Sequence, residues 1–160
     1  MDITVDEESD LVLKRIDVAT TNYPLEIIAE FKTPNSTNGT RDLWETSNLT
    51  LRNCMHDCYE DCPFYEQLQY AMDIRSSALF TYNLSCDDRM ARQAMIQLHN
   101  SYQTSTGLTA SRAPAHQYQI IPHFSLYWIC MITDHFEYFG NVQFVRQFLP
   151  ACDGVLESFD

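Results

Sequence analysis

The hydrophobic period of this chain changes once, and the change falls on residues 33–40, TPNSTNGT. That stretch is a cluster of turn formers. Before it, apolar residues come in short or alternating runs. Leu11-Val12-Leu13 and Ile16-Asp17-Val18 are two of them, and residues 25–31 (LEIIAEF) follow Pro24, a residue suited to strand entries. After it, apolar residues recur three and four apart, the spacing of one helix face. The pattern therefore predicts a β-strand segment over residues 1–33, a linker over 34–40 and a mainly α region over 41–160.

Within the helical region, Trp44, Ser47, Leu51, Met55 and Cys58 share one face. Pro63 reads as a new start, because proline is tolerated in the first turn of a helix and not in its middle. Residues 64–83 then carry an apolar stripe (Phe64, Leu68, Ala71, Met72, Leu79) opposite a polar one (Glu66, Tyr70, Asp73, Ser77). Asp87 or Asp88 can cap a third helix bearing Ala91, Ala94, Met95, Leu98 and Tyr102. A long loop covers 103–122. Residues 124–139 are apolar almost all round, which argues burial on most sides, and Gly140 ends them. A last helix, bent at Pro150, carries Val145, Phe148, Leu149, Cys152 and Phe159. About five helices, alternately buried and one-sided, fit stacked helical hairpins. The pattern runs to Phe159 without a capping signal, so the expectation is a piece of a longer protein.

Charge narrows the function classes. Lys and Arg number 10 against 22 Asp and Glu, a formal net charge of −12. Such a chain repels phosphate backbones and anionic membrane surfaces, so neither a nucleic acid nor a membrane is expected as partner. The longest apolar run, residues 124–132, is well short of the roughly twenty residues a span needs. The acidic opening, MDITVDEESD, lacks the apolar core of a signal peptide, and localisation stays open. Sequons at Asn35, Asn38, Asn48 and Asn83 would matter only on a secretory route.

The densest chemistry lies in residues 57–73, DCYEDCPFYEQLQYAMD. Acids near a helix N-terminus complement its dipole, and that accounts for Glu60 and Asp61. It accounts less well for Glu66, and not for Asp73 if the helix starts at Pro63. Tyr70 falls between Glu66 and Asp73. An aromatic ring flanked by carboxylates suits a sugar, with the ring on its face and the acids on its hydroxyls. A polar stripe facing water is the plainer alternative.

Asp61-Cys62-Pro63, Glu66 and Asp73 match the D-C-P-x-x-E-x(6)-D signature of the α-L-rhamnosidases with a six-hairpin (α/α)6 toroid, which the chain resembles. NYPLE before it and GLTASRAPAHQYQIIPHFSLYWI after it are also similar to that family, so the resemblance runs from about Tyr23 to the end. It implies a partial toroid preceded by the end of a β-sandwich, and a glycosidase inverting terminal α-L-rhamnosides. Glu66 would be the general acid, with Asp61 and Asp73 holding sugar hydroxyls and Tyr70 and His123 as further substrate contacts. Better known members carry Arg on both sides of the acid where this chain has Tyr65 and Gln67, and Trp and Gly where it has Tyr70 and Met72. The resemblance places the catalytic base on a later hairpin. The remainder of the catalytic domain is therefore the missing partner, and this chain alone is expected to be inactive. The alternative is a truncated pseudoenzyme that binds carbohydrate without turnover.

A general acid must carry its proton when it meets substrate, whereas a place in a first helical turn favours the ionised form. Burial and the charges of Asp61 and Asp73 would have to outweigh the dipole. Cys54, Cys58 and Cys62 are spaced more widely than zinc knuckles, and cysteines four apart on a helix are more simply packing residues. No metal or cofactor is expected, and the cysteines (with Cys86, Cys130 and Cys152) are read as mostly reduced and mostly buried. His56 and His123 lie near the proposed site, Asp134 and Glu137 are candidate supporting acids, and Arg112 in the long loop either meets substrate or offsets the acids.

Overall fold

The computed structural model describes residues 4, 12–32 and 38–160. Six helices lie among them: α1 (Asn38–Asn53), α2 (Ala71–Ser85), α3 (Arg89–His99), α4 (Pro122–Phe139), α5 (Val142–Arg146) and α6 (Leu149–Glu157). The mainly α expectation holds, and the helices are consistent with part of a hairpin toroid. The strand segment is not seen: residues 12–32 carry no strand, while most of residues 1–11 and the core of the linker lie outside the described residues. α1 begins within the stretch read as linker. No helix among the described residues is long and apolar enough to cross a membrane.

Residues 22–31 instead run as an extended tie across two helix ends. Tyr23 N–H donates to Met55 O at 2.8 Å, and the N–H groups of Ile28 and Ala29 both donate to Leu84 O. Leu25 is buried, and Phe31 stacks on Trp44 of α1 with centroids 5.4 Å apart. Short apolar runs look alike whether they pair with a strand or lie against helices, so their pattern alone does not choose.

α4 is the hub. It packs along α2 and also touches α3, α5 and α6. Phe124, Trp128, Met131, Ile132 and His135 form its buried stripe, with half-buried Leu126, Tyr127 and Ile129 beside it. Trp128 is fully buried and donates from Nε1 to Met95 O at 3.1 Å, so its polar edge is satisfied where α3 crosses. Arg75 of α2 grips Asp134 of α4 through two bonds, at 2.6 and 3.1 Å. Asp134 is therefore committed to holding these two helices together, and Glu137 is exposed.

Two boundaries differ from expectation. α4 stops as expected at Gly140, in the left-handed region at φ +63, with its N–H on Phe136 O. The single bent last helix, however, is two helices. Pro150 sits in the first turn of α6, where its missing N–H costs nothing, so the proline starts a helix instead of bending one. The larger difference is at α2, which begins at Ala71 and not near Pro63.

Candidate functional site

Residues 54–70, between α1 and α2, are a closed loop carrying the carboxylates. Cys54, Cys58 and Cys62 therefore share no helix face. All six cysteines are free; only Cys54 and Cys152 are buried, so the expectation of mostly buried cysteines fails. Among the described residues no group of three or more His, Cys, Asp or Glu is arranged to hold a metal ion.

Asp61 closes the loop. Its N–H donates to Leu68 O at 2.9 Å, and its Oδ1 accepts from Leu68 N–H at 2.9 Å. Gln67 takes φ +52, a conformation that costs energy in any residue but glycine, and its side chain returns to Pro63 O. Glu66 N–H meets the Cys62 sulfur at 3.2 Å. Pro63 thus opens a tight turn, not a helix. Glu66 stands on that turn, exposed, and the helix-start argument does not apply to it.

The dipole argument passes to Asp73, which lies in the first turn of α2 and not in its interior. Although Asp73 as a residue is exposed, its carboxyl is pushed above the ordinary carboxylate range. Partial burial is the largest cause; a hydrogen bond from its own backbone opposes it, and the charges of Asp61 and Glu66 add to it. Asp61 and Glu66 thus both lie close enough for Asp73 to feel their charge.

Tyr70 precedes α2, and the loop after α3 returns to pair with it. Tyr70 and Arg112 form an antiparallel bridge, flanked by Ala71 N–H on Ser111 O at 3.0 Å and Ala113 N–H on Gln69 O at 3.3 Å. Gln69, buried beneath, donates to Gln97 Oε1 and to Ala113 O, both at 2.6 Å. Arg112 Nη1 donates to the Tyr70 hydroxyl at 2.5 Å, and the guanidinium lies over the Tyr70 ring at 5.3 Å. Burial raises the Tyr70 phenol; Arg112 lowers it, and the negative charge of Glu66 raises it again. Sequence reasoning left Arg112 undecided, because nothing in its spacing announces a bridge to Tyr70.

His123, exposed at the start of α4, reaches this group only through rings. It meets Phe124 edge-on at 5.1 Å, and Phe124 meets Tyr70 edge-on at 6.2 Å. His56 lies on the other flank, with Nδ1 2.8 Å from Glu60 Oε1. Asp61 also borders a cavity of about 600 Å³ between α1 and α2, lined by Trp44, Leu51, Glu60, Phe80 and Leu84 among others.

The chain was compared with known families and structures. The model of the bacterial α-L-rhamnosidase six-hairpin glycosidase domain matches residues 27–160. A GH78 family rhamnosidase of Bacillus sp. GL1 superposes with TM-score 0.78 at 26% identity, over 85% of this chain and 14% of that one. A rhamnosidase from Klebsiella oxytoca with rhamnose bound superposes with TM-score 0.68 at 18% identity, over 78% of this chain and 25% of that one, a likeness of fold. No curated protein matches. The chain thus spans a minor part of the solved structures it matches.

Proposed function

The chain belongs to the bacterial α-L-rhamnosidase six-hairpin glycosidase family, and from that premise we propose that it supplies the acid-bearing hairpin for inverting hydrolysis of terminal α-L-rhamnosides. Glu66 protonates the leaving-group oxygen. Asp61 and Asp73 hold sugar hydroxyls, with Tyr70 and His123 beside them. The observation that carries this reading is the convergence of the motif carboxylates, felt at Asp73 as a raised affinity for its proton. Tyr70 adds a ring next to them, the surface a sugar face packs on. An inverting scheme also needs a carboxylate base about 6.5–9.5 Å from the acid, with room for water between. We assign that base to the hairpins beyond this chain.

A second reading, carbohydrate binding without turnover, is favoured by one feature: Glu66 is exposed here, whereas a general acid works in a site walled from water. The experiment replaces Glu66 with Gln in a polypeptide that includes the remaining hairpins. Turnover of a rhamnoside with a poor leaving group falls on the order of 10²–10⁴-fold, the range for general acid catalysis. An activated aryl rhamnoside, whose leaving group needs no proton, loses far less. Equal and small losses on both would sink the acid assignment.

A further inference from the structure

Phe64 and Tyr65 directly precede Glu66 on the tip of the carboxylate turn. They are 77% and 90% exposed, yet their rings meet edge-on, with centroids 5.3 Å apart and planes at 79°. Consecutive side chains on an extended backbone point to opposite sides. Here the turn brings both rings together. It is closed at its base by the two bonds between Asp61 and Leu68, and braced within by Cys62 on Glu66 N–H and by Gln67 on Pro63 O. Among the described residues neither ring packs against a third. The pair is therefore held in place without being covered, and it buries too little apolar surface to add much to the fold. A braced pair of open rings does lower the ordering cost of binding a flat ligand.

We propose that Phe64 and Tyr65 form the aglycone subsite and select rhamnosides whose leaving group carries an aromatic ring, a proposal that rests on the reading of Glu66 as the general acid. An acid that protonates the leaving-group oxygen stands at the junction of sugar and aglycone. The residues assigned to the sugar lie at the base of the turn and beyond it: Asp61 at the closure, Tyr70 and Asp73 at the start of α2. The tip, on the other side of Glu66 in the chain, is left to the aglycone. Its chemistry is that of a ring receiver. Residues 61–68 carry no Lys or Arg to bond a charged leaving group. Two rings set edge-on instead offer a face and an edge, the surfaces through which aromatic groups attract one another.

The test uses the polypeptide that includes the remaining hairpins, with ethyl and naphthylethyl α-L-rhamnoside as substrates. Both leave as simple alcohols of similar basicity, so the chemistry at the bond is matched and only the ring differs. In wild type, kcat/KM favours the naphthylethyl compound on the order of tenfold, the size of one good aromatic contact. Phe64→Leu and Tyr65→Leu each cut that preference, and the double change abolishes it. The loss falls on KM and not on kcat, as for a contact made equally before and during bond cleavage. Tyr65→Phe keeps the preference. No preference in wild type, or one that survives the double change, overturns the proposal. So do equal losses on both substrates with a lowered melting temperature, which would mean that the rings pack against the remaining hairpins. A second arm needs no turnover: free naphthylethanol, followed by saturation-transfer NMR, binds wild type and Tyr65→Phe but not the double Leu variant. If that pattern holds while Glu66→Gln spares turnover, the ring-binding pair stands and the acid assignment falls. If Glu66→Gln behaves as an acid variant while naphthylethanol ignores both rings, the acid stands and the proposal falls.

Discussion

Asp73 is where charge crowding and helix geometry pull against each other. Its folded-state affinity for the proton is raised, so ionising it costs the folded chain stability. The favourable contribution is complete below the ordinary carboxylate value of 3.8 and is lost as pH rises through the higher folded value. Asp73→Asn should therefore leave the melting temperature at pH 7 unchanged or raise it, with the difference fading below pH 3.8. Calorimetry on the same variant should show weaker binding of free L-rhamnose. A lowered melting temperature with unchanged affinity would make Asp73 a plain helix-start residue. The sequence identified the three motif carboxylates but not their settings. It put Glu66 on a helix and Asp73 inside it, because the positive φ at Gln67 that turns the chain is a backbone choice no side-chain pattern encodes. Arg112 was illegible for a related reason, since its partner is met only through a loop returning from beyond α3.

Among the elements, α3 and α4 were the most legible. α3 has a one-sided stripe, and α4 has Pro122 at one end and Gly140 at the other. What the pattern could not choose was which aspartate starts α3. Asp88 holds the position before the helix but makes no capping bond; its carboxylate lies 3.0 Å from the buried His135 instead. Asp87 does the work: its Oδ1 accepts from Arg89 N–H at 3.0 Å, and its carboxylate pairs with the Arg89 guanidinium and the Tyr23 hydroxyl. The bond to the Arg89 side chain leads in holding the Asp87 carboxyl down at about 2. The folded chain thus resists protonating it. Its stabilisation is full above pH 3.8 and drains away as pH falls toward about 2. Asp87→Ala should cost on the order of 1 kcal/mol at pH 7, discounted for the solvent around Arg89, and urea titrations should show that cost shrinking through this window. A pH-independent loss would mean packing, not charge.

For the whole molecule, the apolar surface that asks for company lies largely outside the α4 stripe. Residues 124–132 bury Phe124, Trp128, Met131 and Ile132, as their all-round apolar pattern argues, and leave Leu126, Tyr127 and Ile129 half-buried. The exposed apolar side chains lie elsewhere, with Phe64 at 77%, Tyr65 at 90%, Phe80 at 57% and Tyr138 at 49%. Two of these, Phe64 and Tyr65, directly precede Glu66, and Phe80 lines the α1–α2 cavity that Asp61 borders. Made alone, the 160-residue chain should associate with rising concentration in size-exclusion chromatography. It should hydrolyse no aryl α-L-rhamnoside, because Glu66 faces water without a walled site. Turnover by a monodisperse monomer, abolished by Glu66→Gln, would show that the second carboxylate lies within these residues. Fold class was readable at this scale because helical periodicity survives without its neighbours. No strand is seen over residues 12–32, where the backbone bonds of Tyr23, Ile28 and Ala29 go to helix ends.

The Tyr70–Arg112 bridge also puts a clock on the site. The two residues are separated by 42 positions in the chain. At about 5–20 residues per second of synthesis, the carboxylate turn leaves the ribosome some seconds, on the order of two to eight, before the segment that frames it. α2 can coil meanwhile, but Tyr70 has no guanidinium to meet and Gln69 no Ala113 carbonyl to receive its amide. The carboxylate turn is thus a late joiner, complete only when a distant segment comes home.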